Sequence, residues 1–327
     1  MLTAEKVKEY AKKCGADIVG IGSLDRFQGA PREMDPRYIF PEAKSIIGLG
    51  FRILRGSLRG IEEGTYFAAY PSMGYAHINL VYAPNVLREV ACLIEDEGYE
   101  AVPIQNMVIG ASVDILQGKP NRISIPVSPE KPAPDVLLHF RIAAVICGMG
   151  EIGYSKLFLS PEFGPRQRLA FILTDAPLEP DPIYEGPPIC DRCLLCVSEC
   201  SGKAISGERT VRVKIAGREF EWGELNEERC MLAYTGGARK TNPFLPPDFP
   251  EIDFEGIERG GPGYSRPEWL ALQNTPYMST SLYVFHHCSA IEGARGCIRA
   301  CMIHLEEEGR IKNKFKEPFR KRRPWLL

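Results

Sequence analysis

Cys190-Asp-Arg-Cys-Leu-Leu-Cys-Val-Ser-Glu-Cys200 is the stretch that decides how this chain is organised. It is a C-x2-C-x2-C-x3-C run, the spacing with which bacterial ferredoxins bind iron–sulfur clusters. In two-cluster proteins the first three cysteines bind one cluster and the fourth binds the other. Zinc sites use paired C-x2-C knuckles that lie well apart, so the run favours iron–sulfur clusters over zinc. Ser201 stands where the ferredoxin pattern has proline, a residue that binds no metal.

The number of cysteines indicates two clusters. Of the 11 cysteines in 327 residues, Cys14, Cys92 and Cys147 are interpreted as core thiols. The remaining eight, the number that two four-iron clusters need, are Cys190, Cys193, Cys196, Cys200, Cys230, Cys288, Cys297 and Cys301. In two-cluster ferredoxins each cluster takes three ligands from one cysteine run and one ligand from the other run. This rule predicts that Cys301 completes the first cluster. The second cluster would then take Cys200, Cys230, Cys288 and Cys297.

Composition is that of a globular protein, with 44% hydrophobic residues, a net charge of −2 and a pI of about 6.3. These values provide no global attraction to nucleic acid or to an anionic membrane. No export signal is recognised at the N-terminus, and no run reaches the ~18 apolar residues of a membrane span. We therefore expect a cytoplasmic protein of an anaerobic setting, in which clustered cysteines bind metal. The basic segment Arg310–Arg323 is interpreted as a solvated terminus rather than a nucleic-acid arm.

Helix and strand patterns follow one another in the N-terminal half. Apolar spacing predicts a helix that begins after Thr3 and ends at Gly15, and a second helix from Asn85 to Gly98. Apolar runs predict strands at 17–22, 45–51, 99–103 and 167–175, and polar alternation predicts a strand pair at 210–213 and 218–222. The proline-rich residues 176–188 are interpreted as a linker. The sequence thus predicts a mixed α/β (α+β) fold with one domain at 1–184 and a second at 185–327.

Gly148-Met-Gly-Glu-Ile-Gly153 is a formal G-x-G-x-x-G motif, which binds a dinucleotide when it belongs to a Rossmann unit. Such a unit continues directly into a crossover helix. Pro161 and Pro165 follow too soon after Gly153 for an ordinary helix of this kind. We therefore expect a tight connection close to the cofactor, with Gly148, Gly150 and Gly153 in contact with it, rather than a nicotinamide site.

Candidates for proton transfer also lie in the N-terminal half. That half contains no nucleophile elbow, no P-loop and no H-E-x-x-H motif. Four side chains could handle protons beside a redox centre, namely Tyr75, His77, Asn106 and Arg141. Each has an alternative interpretation as a hydrogen-bonded structural residue, and on these residues alone the choice stays open.

Several stretches resemble cobalamin-dependent reductive dehalogenases and the related epoxyqueuosine reductases. They are 11–20, 97–103 with Asn106, 148–154, 160–166 and 174–178, followed by the cysteine run. Glu228-Arg-Cys-Met231 is similar to an epoxyqueuosine reductase segment whose cysteine binds the second cluster, which supports Cys230 as a ligand. The resemblance covers most of residues 1–205 and scattered pieces afterwards.

The resemblance implies a nitroreductase-like domain that binds cobalamin or another corrinoid, joined to a ferredoxin-like domain with two [4Fe–4S] clusters. It implies a low-potential electron donor such as ferredoxin or flavodoxin, and a small-molecule substrate. In reductive dehalogenases a tyrosine donates a proton beside an asparagine and an arginine, and Asn106 and Arg141 match the latter two. Tyr75 aligns best with the donor, and Tyr82 is the alternative.

The chain also departs from both families. Cys288-x8-Cys297 is wider than their spacing, Met302 replaces a proline, and the export signal and helical tRNA-binding region of these families are not found. We therefore expect a divergent cytoplasmic reductase. Two other functions stay open: an electron-transfer protein or corrinoid activator without its own substrate, and epoxyqueuosine reductase-like tRNA modification. Whether the chain forms a homodimer also stays open.

Overall fold

The computed structural model describes residues 1–63, 65–66, 68–106, 113–114, 119–120, 124–239, 241–242, 245–261, 266–273, 296–312 and 315–319. The helices are α1 (Ala4–Cys14), α2 (Arg59–Glu63), α3 (Ala83–Asp96), α4 (Phe140–Ile146), α5 (Leu195–Ser198), α6 (Glu227–Tyr234), α7 (Pro267–Gln273) and α8 (Cys297–Glu307), with π-helix at Tyr70–Ala76 and Ile78–Tyr82. The strands are β1 (Ile18–Ser23), β2 (Ser45–Arg52), β3 (Ala101–Ile104), β4 (Val113–Asp114), β5 (Lys119–Pro120), β6 (Glu151–Ile152), β7 (Phe158–Leu159), β8 (Gln167–Thr174), β9 (Ile205–Ile215) and β10 (Arg218–Leu225).

A four-stranded antiparallel sheet with the order β1-β2-β8-β3 forms the centre of the N-terminal half. Strands β2 and β8 pair along their full length, from Ser45 opposite Thr174 to Arg52 opposite Gln167. Both strands are apolar and almost entirely buried, because helices cover both faces of the sheet. Arg168 is the one residue of β8 that is not fully buried, and it belongs to the site described below.

The two faces of the sheet pack on different helices. Helices α1 and α3 cover one face, where Val7 and Val90 join a core with Leu49 of β2. The end of α4 and the residues after it cover the other face. There Gly20 and Gly48 pair across β1 and β2, and a Cβ at Gly20 would lie 2.2 Å from the carbonyl oxygen of Cys147. The missing side chains let this segment approach the strands closely.

The predicted helices α1 and α3 and the six predicted strands are confirmed; most differ only slightly at their ends, but β9 is much longer than the predicted 210–213 and begins five residues earlier. The Thr3 hydroxyl accepts a hydrogen bond from the Lys6 amide at 3.2 Å, and Gly15 ends α1 with φ +120°. Helix α3 begins at Ala83, before the predicted Asn85, because Pro84 lies in its first turn, where proline needs no hydrogen-bond partner. The expected absence of a crossover helix is also confirmed, because Gly153 lies between β6 and β7, which pair as a hairpin.

Elements beyond residue 185 share cores with the N-terminal elements. The β9–β10 hairpin contributes Phe220 and Trp222 to the core on the α4 side of the sheet, and α8 contributes Ile298 and Met302 to the core on the α1 side. The boundary between residues 184 and 185 stays a prediction. Within the described part of the chain, no helix combines the length and the apolar character that a membrane span requires.

Candidate redox site

Four cysteines approach one another between the cysteine run and α8. Burial raises the pKa of the Cys301 thiol well above its ordinary value, and the thiols of Cys190 and Cys196 raise it further. Burial likewise raises the pKa of Cys196 to about 12, with further contributions from Cys190 and Cys193. Sulfurs that influence one another in this way disfavour the thiolate form unless a cation neutralises them. The structure therefore brings Cys190, Cys193, Cys196 and Cys301 into one group, the first cysteine group.

A second cysteine group contains Cys200, Cys230 and Cys297. Burial raises the pKa of Cys230 to about 12, and Cys200 raises it further. Burial also raises the pKa of Cys297, with Cys230 and Cys200 as the next contributions. Cys297 and Cys301 lie one turn apart on α8, so they project from the same face of the helix, and one helix contributes to both groups. The predicted ligand Cys288 lies outside the described residues.

The glycine motif at 148–153 packs beside the first cysteine group. The Glu151 carboxylate accepts a hydrogen bond from the Cys190 amide at 2.7 Å, and the Tyr154 amide donates to Cys190 Sγ at 3.4 Å. A Cβ at Gly150, where φ is +154°, would lie 2.0 Å from the carbonyl oxygen of Leu159. The need for glycine at this position therefore comes from the chain's own backbone. The direct cofactor contact predicted for Gly148, Gly150 and Gly153 stays a prediction.

The first cysteine group lies at the protein surface. Cys193 is exposed, and so are the side chains of Leu194 and Leu195 that follow it. His304 Nε2 lies 2.7 Å from Asp191 Oδ2, and the ligand atoms of these two residues and Cys193 lie within 4.8 Å of one another. This edge of the group is therefore open to solvent and is bordered by a histidine–carboxylate pair.

Tyr75 lies in an aromatic cluster that three separate elements build. The Arg168 Cζ atom lies 4.1 Å from the centroid of the Tyr75 ring. The rings of Tyr70 and Tyr234 have centroids 6.3 and 6.2 Å from that of Tyr75. Tyr70 is fully buried, and burial raises its pKa to about 12. A phenol and a guanidinium are thus in contact in the protein interior.

Arg141 is positioned by the first turn of α4. The His139 ring precedes this helix and its Nδ1 accepts a hydrogen bond from the Ile142 amide at 3.3 Å. Burial, together with the charges of Arg141 and Lys156, lowers the pKa of His139 to about 3, so the ring is neutral at physiological pH. Burial also lowers the pKa of Arg141, while Cys230 acts in the opposite direction. Arg141 therefore lies close to the second cysteine group.

The polar side chains around these residues are partly accessible and yet largely surrounded by protein. Arg141, Lys156, Arg168 and Tyr234 each keep part of their surface accessible to solvent. Burial is nevertheless the largest single influence on the pKa of each of them. Side chains that are accessible and yet surrounded by protein form the wall of a cavity or cleft. We interpret them as the wall of a recess between the second cysteine group and Tyr75.

The other predicted proton-transfer residues lie as follows. Asn106 is half-buried, two residues beyond β3. His77 is half-buried, with Nδ1 3.3 Å from the carbonyl oxygen of Ser72. Tyr82 is exposed and its hydroxyl donates to the Gly15 carbonyl at 3.3 Å, at the C-terminal end of α1. The structure thus brings Tyr75 close enough to Arg141 to influence its pKa, and it places Tyr82 at the surface beside α1.

Sequence reasoning missed Arg168, Tyr234 and Lys156. Two signals were available for them. Arg168 is a charged residue inside an otherwise apolar strand, and a buried charge needs a specific partner. Tyr234 follows Cys230 by one helical turn, so both project from the same face of α6. The contact of Arg168 with Tyr75 joins positions far apart in sequence, which no local pattern reveals.

Comparison with known proteins gives two groups of relatives, and no family model matches the chain. It is 27% identical over 227 residues to a tetrachloroethene reductive dehalogenase of Desulfitobacterium hafniense, an alignment that covers 66% of this chain and 35% of that protein. It is 23% identical over 275 residues to the epoxyqueuosine reductase of Bacillus subtilis, covering 75% of this chain and 58% of that protein.

Solved structures of the same two kinds also match the chain. One, a catabolic reductive dehalogenase, has 17% identity and a TM-score of 0.47, and the match covers 91% of this chain and 38% of that chain. The chain thus spans about a third of the length of the dehalogenases that it matches. Its relatives are reductive dehalogenases and epoxyqueuosine reductases, and the resemblance drawn from the sequence is confirmed.

Proposed function

We propose that this protein is an iron–sulfur, corrinoid-dependent oxidoreductase that reduces a small-molecule substrate. The observation that carries the proposal is that seven described cysteines form two groups, and that Arg141 is influenced both by Cys230 of the second group and by Tyr75. Relatives that are reductive dehalogenases and epoxyqueuosine reductases support a reductase. In this proposal the first 184 residues are a nitroreductase-like domain, and residues 185–327 are a ferredoxin-like domain.

The cysteine groups fit iron–sulfur clusters in donor type and in number. Cys190, Cys193, Cys196 and Cys301 would hold the first cluster, and Cys200, Cys230 and Cys297 would hold the second together with the predicted ligand Cys288. The amides of Tyr154 and Ala204 donate to Cys190 Sγ and Cys200 Sγ at 3.4 and 3.3 Å. Such hydrogen bonds stabilise thiolate ligands and tune the reduction potential of a cluster.

The arrangement sets a direction for electron transfer. The exposed Cys193 puts the first group within reach of a protein electron donor such as a ferredoxin or a flavodoxin. Helix α8 joins the first group to the second through Cys297 and Cys301. The second group adjoins the recess, where Cys230 influences Arg141. Electrons would therefore enter at the surface and leave at the recess.

Asn79 holds Arg168 from the protein interior. Asn79 is fully buried, and its Oδ1 accepts a hydrogen bond from Arg168 Nε at 3.0 Å. In this proposal the recess that Arg141 and Arg168 border holds the corrinoid and the substrate.

The chain's own chemical task is to supply a proton. When bound, the clusters and the corrinoid supply two electrons of low potential to the substrate. The bond between the substrate carbon and its leaving group breaks, and the leaving group departs as an anion. The Tyr75 O–H bond breaks, its proton forms the new C–H bond, and water later returns a proton to the phenolate. A free phenol has a pKa near ~10, so a cation must stabilise its anion.

Cofactor content is the direct test of this proposal. Protein purified anaerobically with cobalamin supplied should contain about eight iron atoms and about one cobalt atom per chain. Iron without cobalt would replace the proposal with the electron-transfer alternative. Absence of both metals after reconstitution would reject the two-cluster assignment and the reductase together.

The proton donor is tested by a pair of variants. Tyr75→Phe should keep iron and cobalt and lose most single-turnover reduction, because phenylalanine has no proton to give. Tyr82→Phe is the matched control and should react like the wild type, because its hydroxyl lies at Gly15. Full activity in Tyr75→Phe would remove this residue from the mechanism, and loss in Tyr82→Phe would transfer the role there.

A second candidate is tRNA modification of the epoxyqueuosine reductase kind. The observation that favours it is the long alignment with the Bacillus subtilis epoxyqueuosine reductase, which spans 275 residues. Phosphate contacts make nucleic-acid binding steeply salt-dependent. Binding of tRNA that weakens strongly between low and moderate salt would favour this candidate over a small-molecule substrate.

A further inference from the structure

We propose that Arg168, rather than Arg141, is the cation that holds the negative charge of the Tyr75 phenolate. Arg168 is then a positioning residue that acts through Tyr75. The reaction in which the phenolate forms rests on the proposed function. Titration of residue 75 does not rest on the proposed function, because it measures the ionisation of that side chain directly.

Geometry places the guanidinium of Arg168 against the phenol. Its Cζ atom lies 4.1 Å from the centroid of the Tyr75 ring, within the range of a cation–π contact. Arg168 Nε donates to Asn79 Oδ1 at 3.0 Å, and Asn79 is fully buried four residues after Tyr75. The same helical segment therefore carries both the phenol and the amide that orients the guanidinium beside it.

Electrostatics around Arg168 favour an anion at this position. Burial lowers its pKa, but the phenols of Tyr75, Tyr70 and Tyr234 outweigh burial and raise it. These three phenols are neutral at physiological pH. A cation that is largely surrounded by protein interacts strongly with an anion that forms next to it, because the local dielectric is low. A phenolate at Tyr75 is such an anion.

Arg141 is influenced by other groups more strongly than by Tyr75. Burial is the first influence on its pKa, and Cys230 is the largest influence that opposes burial, followed by Cys297 and then Tyr75. Arg168 repels it. The groups that face Tyr75 are thus Arg168 on β8, Tyr70 on its own helix, Tyr234 on α6 and, more weakly, Arg141 on α4. The two arginines lie close enough to influence each other, and Arg168 is the one in contact with the Tyr75 ring.

The proton transfer balances with this assignment. A low-potential electron carrier provides two electrons, the substrate carbon gives up its leaving group as an anion, and the Tyr75 proton forms the new C–H bond. The negative charge that remains on the Tyr75 oxygen lies beside Arg168 until water returns the proton. Arg168 itself neither gains nor loses a proton, because a guanidinium stays charged throughout this pH range.

The first test measures ionisation of the phenol without substrate. 3-Fluorotyrosine is placed at position 75 of the cluster-loaded protein, and the pH midpoint of its ionisation is measured by fluorine NMR. The same measurement is made in four variants: Arg168→Gln, Arg168→Lys, Arg141→Gln and Arg88→Gln. Removing the cation in Arg168→Gln should move the titration midpoint upward by about 1–3 pH units. Arg168→Lys should keep most of the wild-type position, because the charge remains. Arg88 is exposed on α3, and its variant should titrate like the wild type.

Two results would overturn the assignment. One is a midpoint that Arg168→Gln leaves unchanged while iron content shows an intact protein. The other is a larger upward shift in Arg141→Gln than in Arg168→Gln. If Arg168→Gln loses its iron, Arg168→Met replaces it, since methionine occupies a similar apolar volume without a charge. The titration needs neither cobalamin nor turnover. It can therefore be interpreted even if the proposed function proves wrong.

The second test uses turnover. In Arg168→Gln, kcat should fall by about 10²-fold, with KM changed little, because the phenolate charge exists only after proton transfer. The alkaline limb of the kcat profile should move to higher pH, and Arg168→Lys should recover part of the rate. A merely structural role of Arg168 would instead lower the iron content or raise KM, with the pH profile unchanged, and would contradict the assignment.

Discussion

Replacing His139 by asparagine should remove part of the acid sensitivity of the folded protein. Burial, together with the charges of Arg141 and Lys156, lowers the pKa of His139 to about 3. A histidine in an unfolded chain titrates near ~6.5. Between these two values the unfolded chain binds a proton that the folded chain does not. Stability is therefore unaffected by His139 above ~6.5 and falls as the pH drops below that value.

The magnitude follows from proton linkage. Each pH unit below the unfolded pKa costs about 1.4 kcal/mol of folding free energy. Integration from about pH 7.5 to about pH 5.0 gives a loss of about 2 kcal/mol. The hydrogen bond of 3.3 Å from the Ile142 amide to Nδ1 requires the neutral ring as acceptor. An asparagine side chain can accept the same hydrogen bond as a helix N-cap and does not titrate, so His139→Asn should keep the cap and lose the pH dependence.

The assay is anaerobic urea unfolding, followed by tryptophan fluorescence, of the wild type and of His139→Asn at several pH values in this interval. Other titrating groups, including the acid-labile metal sites, contribute equally to both proteins, so the difference between their unfolding free energies isolates His139. Between about pH 7.5 and about pH 5.0 the free energy of unfolding of the wild type should fall by about 2 kcal/mol more than that of the variant. Two stability curves that stay parallel down to about pH 5.0 would refute the argument that this ring is held neutral in the fold.

Three further predictions concern cofactors and packing. Cys193→Ala should lower the iron content from about eight to about four atoms per chain, measured after anaerobic reconstitution, while the second cluster keeps its ligands. Gly150→Ala should yield little folded protein, because the added Cβ would meet the Leu159 carbonyl oxygen; normal soluble yield and cluster content would contradict this. Glu62→Gln should destabilise the protein by about 3–5 kcal/mol in urea, because Arg299 loses its buried ion-pair partner, and Glu62→Leu with Arg299→Met should recover most of that loss.

Local chemistry explains which elements could be predicted. The Thr3 cap, the Gly15 ending and the apolar runs of β2 and β8 are each decided by a few neighbouring residues, so the sequence alone predicts them. The apolar run before Gly148 could be assigned to no element, because a short apolar run fits a strand or a buried helix equally well. It is helix α4, since the glycines of β1 and β2 leave room for its end.

The residues of the candidate site likewise include some that the sequence predicts and some that it does not. Cysteine spacing indicates clusters because consecutive ligands lie in one loop, and the resemblance supplies Tyr75 and Arg141. Arg168 could not be found from spacing, because its partner Tyr75 belongs to a distant helix and the two meet through the fold. Lys156 was missed for a related reason, since its position at the recess depends on how the β6–β7 hairpin packs near Arg141 and Glu227.

Helical periodicity links the two halves of the site. On α8, Cys297 and Cys301 lie one turn apart and belong to different cysteine groups. On α6, Cys230 and Tyr234 lie one turn apart, and Tyr234 contacts Tyr75 at a centroid distance of 6.2 Å. One turn of α8 thus connects the first cysteine group to the second, and one turn of α6 connects the second cysteine group to the phenol of Tyr234.

The backbone of α6 therefore fixes the proposed route for electrons relative to the proposed source of the proton. Because residues one turn apart stay on one face, a rigid rotation of the helix would move Cys230 and Tyr234 together. Only a break of the helix between or beside them would separate the thiol from the phenol. Glu227 is the first residue of α6, where proline is tolerated, so Glu227→Pro would leave this link intact. Ala233 lies in the last turn and is buried, so Ala233→Pro would disrupt the backbone that holds Tyr234 against Tyr75.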